Sequence, residues 1–169
     1  MKRMVKTGIL LMAAMVLSGC VLTDGTAVSP ALQERMKASL DAGKAAVIAR
    51  DGKIVAELEG RGVKPLLDAL AADPKAFEGV VAMDKVIGRA AAAIYIVGKA
   101  DTVIAPVMSV GAKELLERHG VKAVTENPVP YIINRRRDGM CPMDKATMDL
   151  ENPEEIVGKL CRIQSDIAK

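Results

Sequence analysis

The residues in this chain that are equipped for chemistry are few. Asp84 and Lys85 set a carboxylate beside an amine at the head of the stretch MDKVIGRAAAAIYIV, from Met83 to Val97. There Asp84 is a candidate general base and Lys85 a charge clamp or amine nucleophile. Cys141 adds a third candidate catalytic group, a nucleophile once its environment lowers the thiol pKa. Arg61, Ser109 and Asn134 are candidate ligand-binding residues that a folded chain can bring toward the same point. Each also has a plainer structural reading. Asp84 and Ser109 serve as helix N-caps, Lys85 is solvated, Cys141 packs as a small hydrophobe, and Arg61 sits in a Gly60-Arg61-Gly62 turn. The triplet Arg135-Arg136-Arg137 reads as a solvated loop rather than an anion site.

Metal chemistry finds little support. The single histidine, His119, precedes Gly120 at an expected helix end, which suits a capping or surface role. Cys141 and Cys161 cannot by themselves supply the four ligands of a tetrahedral zinc site. No metal and no cofactor is therefore implied. The two thiols form a disulfide only if their Cα atoms lie within ~7 Å, so a bridge and two free thiols both stay open.

The elements that must position these residues begin after a targeting segment. Lys2, Arg3 and Lys6 precede an apolar run from Ile9 to Leu17 and small residues before Cys20, the layout of a signal peptide. The run is shorter than the ~20 apolar residues that span a bilayer. Leu17-Ser18-Gly19-Cys20 resembles the lipobox of bacterial lipoproteins, which implies cleavage after residue 19, a lipid on Cys20 and a membrane-anchored place in the bacterial cell envelope. Cleavage removes three of the 24 basic residues and leaves 21 against 21 acids. A neutral mature chain with one Phe, two Tyr and no Trp offers neither the charge nor the stacking rings that nucleic acid requires.

Residues 20–29 read as a tether and 30–169 as a single domain, long enough for one core. Ser29 and Pro30 start a helix with Leu32, Met36 and Leu40 on one side. Asp51-Gly52 joins two β-like runs, Ala45 to Arg50 and Lys53 to Leu58, into a hairpin. A helix from Val63 to Leu70, a short strand near Val80-Val81 and a helix opened by Asp84 follow. In that helix Val86, Ile87, Ala90, Ala91, Ile94 and Val97 form the buried side. Asp101 to Val107, Val110 to His119 and Val121 to Thr125 alternate as strand, helix and strand, a βαβ unit with parallel pairing. Tyr131 to Ile133 reads as a short edge strand. A polar loop from Asn134 to Cys141, a helix near Pro142 and a helix capped by Asn152 complete the chain.

A hairpin followed by helices alternating with strands, with an alanine-rich helix in the middle, resembles the cytidine-deaminase-like fold. The segments GRGVKPLLDAL, AMDKVIGRAAAAIYIVGKA and INRRRDGMCPMD are similar to an uncharacterised domain family assigned to that superfamily, over roughly Lys44 to Leu160. The resemblance implies an α/β three-layer sandwich: a mixed sheet with an N-terminal hairpin and flanking helices. Zinc deaminases carry H-x-E at the start of the central helix and P-C-x-x-C after the next strand. At those places this chain has Met83-Asp84-Lys85 and Ser109-Val110-Gly111-Ala112, without ligands. The expectation is an envelope lipoprotein whose domain has lost zinc chemistry and binds a small molecule or an envelope partner. The alternatives are a non-zinc enzyme using Asp84, Lys85 and Cys141, or a thiol redox module.

Overall fold

The computed structural model describes residues 28–167; the expected signal peptide, Cys20 and most of the expected tether lie outside them. The first helix, α1 (Pro30–Asp41), starts where the sequence places it: the Ser29 hydroxyl accepts from the Leu32 amide at 3.2 Å, and Pro30 occupies the first turn. Strands β1 (Ala46–Arg50) and β2 (Lys53–Leu58) form the hairpin, with Asp51 and Gly52 both at positive φ as its turn requires. Helix α2 (Lys64–Ala72) leads to β3 (Val81–Asp84) and β4 (Val86–Ile87), then to the central helix α3 (Arg89–Val97). The βαβ unit follows as β5 (Thr102–Ser109), α4 (Val110–Arg118) and β6 (Lys122–Val129). Two helices close the chain, α5 (Pro142–Thr147) and α6 (Pro153–Ile167).

The result is a mixed α/β fold on a six-stranded mixed sheet. β1 pairs antiparallel with β2 and β3, whereas β3, β4 and β6 all run parallel to β5. Alternation along β1 divides the core between two faces. Val47 and Ala49 pack with Leu32, Met36 and Leu40 of α1 on one face. Ala46 and Ile48 join the larger cluster beneath α2, α3, α4 and α6 on the other. At its centre Phe77 and Tyr95 meet edge to face, ring centroids 5.2 Å apart, and both side chains are fully buried.

The structure corrects the expected start of the central helix. Met83 and Asp84 end β3, Val86 and Ile87 form β4, and α3 begins only at Arg89, with Gly88 as its N-cap. The apolar spacing of this stretch suits either period, and pairing with β5 decides between them: Val81 lies opposite Thr102, and Val86 opposite Val107, in one continuous register. The ladder breaks at Asp84 and Lys85. Facing the break is Pro106 of β5, which has no N–H to donate and is also skipped by β6. Asp84 is thus the last residue of a strand and not a helix N-cap. Tyr131 to Ile133 forms no strand either: Pro130 precedes it, and its sole β pairing is an isolated bridge, Ile133 to Met140. Among the described residues no helix is long and apolar enough to cross a membrane.

Candidate functional site

The break in the β3–β4 line opens onto a cleft of about 660 Å³. Its walls come from the loops before β1 and after β2, from Asp84 to Gly88, from the first turn of α3, and from the segment Ile132 to Asp144 that arches over it. Asp84, Lys85, Arg61, Asn134 and Cys141 all line this space. Ser109 does not. It is buried, and its hydroxyl caps α4 by accepting from the Ala112 amide at 3.2 Å.

The floor acid is Asp84. Its Oδ1 accepts from the Val86 amide at 3.2 Å, and the Tyr95 hydroxyl, reaching up from α3, donates to Oδ2 at a longer 3.4 Å. The carboxyl keeps some contact with solvent through the cleft, yet the protein packed around it dominates, and burial raises its pKa to about 7. The Val86 and Lys85 amides, the Tyr95 hydroxyl and the Lys85 charge pull in the other direction and lose. Burial, together with the Asp84 charge, also pushes the Tyr95 hydroxyl well above the usual phenol range, so it stays a donor.

The second acid, Asp144, has a structural role. From α5 its Oδ1 accepts from the Arg89 amide at the start of α3 at 2.6 Å, and its Oδ2 from the Ile132 amide at 3.2 Å. Gly88 has no side chain with which to cap α3, and this distant carboxylate supplies the cap and complements the helix dipole. The same contact fixes the arch over the cleft. The Arg89 guanidinium extends the clasp by donating to the carbonyls of Thr147, Gly111 and Leu150, joining α3 to α4 and to the end of α5.

The arch carries cations. Asn134 forms a tight turn, its amide donating to Asp138 Oδ1 at 2.7 Å while its Oδ1 accepts from the Asp138 amide at 3.3 Å. This turn places Arg135 and Arg136 at the mouth of the cleft, while all three arginines stay exposed, as the solvated-loop reading expects. Arg136 is paired with Asp138, and Lys44 with Glu57 and Glu59. Arg61, Lys85 and Arg135 have no ion-pair partner among the described residues. Three exposed cations without an ion-pair partner among the described residues thus line a cleft that is otherwise walled largely by Val63, Ala90, Ala91, Ile132 and Met143. Cys141 is a free thiol on the wall, its amide donating to the Ile132 carbonyl at 2.7 Å; Cys161 is free and exposed on α6. His119 is the C-cap of α4. Among the described residues no three His, Cys, Asp or Glu side chains cluster closely enough to hold a metal ion.

Sequence reasoning missed Tyr95 and Asp144. Tyr95 lies in an alanine-rich helix where its spacing marks only the core. Asp144 acts across a wide gap in the chain, and nothing local to it announces a cap.

The family model of a domain of unknown function, DUF1893, matches residues 35–162. The crystal structure of a DUF1893 family protein from Thermotoga maritima superposes with a TM-score of 0.71 at 22% identity, covering 82% of this chain and 93% of that one. At that identity the likeness speaks for the fold alone. Among the curated proteins none matches.

Two predictions follow from the two acids. A Cβ at Gly88 would lie 2.5 Å from Asp144 Oδ1 and 3.1 Å from Ile132 Cγ1, whereas at Gly139 the nearest neighbour is 3.7 Å away. Gly88→Ala should lower unfolding stability in denaturant by about 1–3 kcal/mol, and Gly139→Ala should leave it nearly unchanged. For Asp84, the folded chain holds a proton between pH 3.8 and about 7 that the unfolded chain has released. Its contribution is therefore full below pH 3.8 and lost as pH rises through about 7. Chemical denaturation across that range should show Asp84→Asn gaining on the wild type by on the order of 2 kcal/mol.

Proposed function

The chain belongs to the DUF1893 domain family, and from that premise we propose that it is an envelope lipoprotein whose domain binds a small anionic molecule in the cleft beside Asp84. The observation that carries this reading is that Arg61, Lys85 and Arg135, none of them in an ion pair among the described residues, line one preformed and partly apolar cleft. The three side chains are exposed at the cleft, where an anion bound among them meets the charge of all three, and the apolar walls beside them offer a surface for the rest of a small molecule. The order of hairpin, α2, β3, α3, β5, α4 and β6 accords with a cytidine-deaminase-like ancestry. The corrected start of α3, Gly88-Arg89-Ala90, carries no zinc ligand, and neither does the start of α4. Anchoring through a lipid on Cys20 would hold the cleft at a membrane surface facing the periplasm or the exterior.

A second reading, a cysteine enzyme without zinc, draws on the placement of Asp84, Lys85 and Cys141 on one cleft. The redox reading has less behind it, because Cys141 on the cleft wall and Cys161 on α6 are both free.

Two measurements separate these ideas. Thermal unfolding of the soluble chain from Val21 onward, in a panel of small carboxylates, sulfates and phosphates, should reveal at least one stabilising anion. Its effect should weaken in Lys85→Met and Arg61→Ala and persist in Cys141→Ser. A panel without any stabilising anion would count against the binding module; turnover that vanishes in Cys141→Ser would move the enzyme ahead. For the anchor, full-length protein expressed in a bacterial host should partition with membranes, and Cys20→Ser should release it. Retention of that variant in the membrane fraction would argue against a lipoprotein.

A further inference from the structure

Cations alone would hold any small anion, so the acid at the floor of the cleft calls for a reason. Asp84 is a half-buried carboxyl that lines the same space as Lys85, Arg61 and Arg135. It is not consumed by an internal ion pair: its protein partners are the Val86 amide on Oδ1, the neighbouring Lys85 amide and the long contact from Tyr95 on Oδ2, fewer than the four acceptor sites of a carboxylate. A carboxylate facing a bound oxyanion repels it unless a proton lies between them.

We infer that Asp84 makes the cleft selective for an oxyanion that carries its own proton, a phosphate group, and against a fully ionised one such as sulfate. Resting on the reading of the cleft as an anion site, this assigns the floor acid to specificity and the cations to affinity. Hydrogenphosphate donates its P–OH to Asp84 while its other oxygens accept from Lys85, Arg61 and Arg135. Sulfate offers only lone pairs and meets the carboxylate head on, an arrangement that a binding site uses to exclude an unwanted partner. Tyr95 contributes by donating to Asp84 from below, which keeps the carboxylate oriented as an acceptor. The other groups around the floor leave this assignment intact. Asp144, from α5, already accepts two backbone N–H groups. Lys44, before β1, is met by Glu57 and Glu59, Arg136 is met by Asp138, and Cys141 is a free thiol on the wall. Once Asp84 is itself protonated, at and below about pH 7, it becomes a donor and the bar to sulfate falls.

The test is isothermal titration of the soluble chain from Val21 onward with inorganic phosphate and with sulfate, at about pH 8 and about pH 5.5, on either side of the Asp84 transition. Phosphate should bind roughly tenfold or more tightly than sulfate at the higher pH, and the gap should close at the lower one. Asp84→Asn, whose amide donates as well as accepts, should bind the two alike at both values; if its melting curve shows that it does not fold, the wild-type pH dependence decides alone. Equal affinities for wild type at the higher pH would overturn the role of Asp84 and leave the anion cleft standing. Binding of neither anion, with none stabilising in the wider panel, would overturn both. Butyl phosphate against inorganic phosphate at the lower pH distinguishes the source. Tighter binding of the ester points to an esterified ligand on the apolar wall that enters as its protonated monoanion, since a monoester loses its second proton near about pH 6, and tighter or equal binding of inorganic phosphate points to free phosphate; either keeps the Asp84 assignment.

Discussion

The cleft exists because one carboxylate reaches across the fold. Asp144, on a short helix near the C-terminus, accepts from the first amide of α3 and from the backbone of Ile132, so a single side chain both caps the central helix and fixes the arch above it. Only glycine at position 88 leaves room for that carboxylate. Without the clasp, the arginine turn at Asn134 to Asp138 would have no fixed relation to Asp84, and the cations would not converge. The N-terminus of α3, a place where an anion would otherwise bind, is filled from within. A ligand must therefore use the neighbouring space between Asp84 and the arch.

The two acids divide the work by environment. Asp144 is buried with both oxygens satisfied by backbone N–H groups and behaves as part of the scaffold. Asp84 sits where a strand breaks, met by the Val86 and Lys85 amides and by a long contact from Tyr95, and burial raises its pKa to about 7. A carboxyl poised near the ambient pH among cations is a group that can accept or give a proton at small cost, which is what a site that tells one oxyanion from another needs. The break that exposes it traces to Pro106, whose missing N–H interrupts the ladder on the neighbouring strand.

Much of the fold was legible because its signals are local. Ser29-Pro30, Asp51-Gly52, Ser109 and Asn152-Pro153 each carry their own capping or turn chemistry, and each sits where that chemistry places it. The stretch from Met83 to Ile87 was misjudged because its apolar spacing fits a helix and a strand alike, and a hydrogen-bonded neighbour more than a dozen residues away made the choice. The site was half legible. Asp84, Lys85, Arg61, Asn134 and Cys141 meet at the cleft, but Ser109 is spent on a cap. The arginine turn is exposed, as its sequence suggests, but its place beside the cleft depends on the distant clasp of Asp144, and no local pattern encodes that contact.

The central claim is that this cleft is where an anion binds. The most direct measurement is a titration of the isotopically labelled soluble domain with inorganic phosphate, followed by amide chemical shifts in NMR spectra. The account predicts shifts confined to the Gly60-Arg61-Gly62 turn, the Asp84 to Gly88 break and the Asn134 to Cys141 arch. Saturable shifts centred on another part of the surface, with these three segments unmoved, would contradict it.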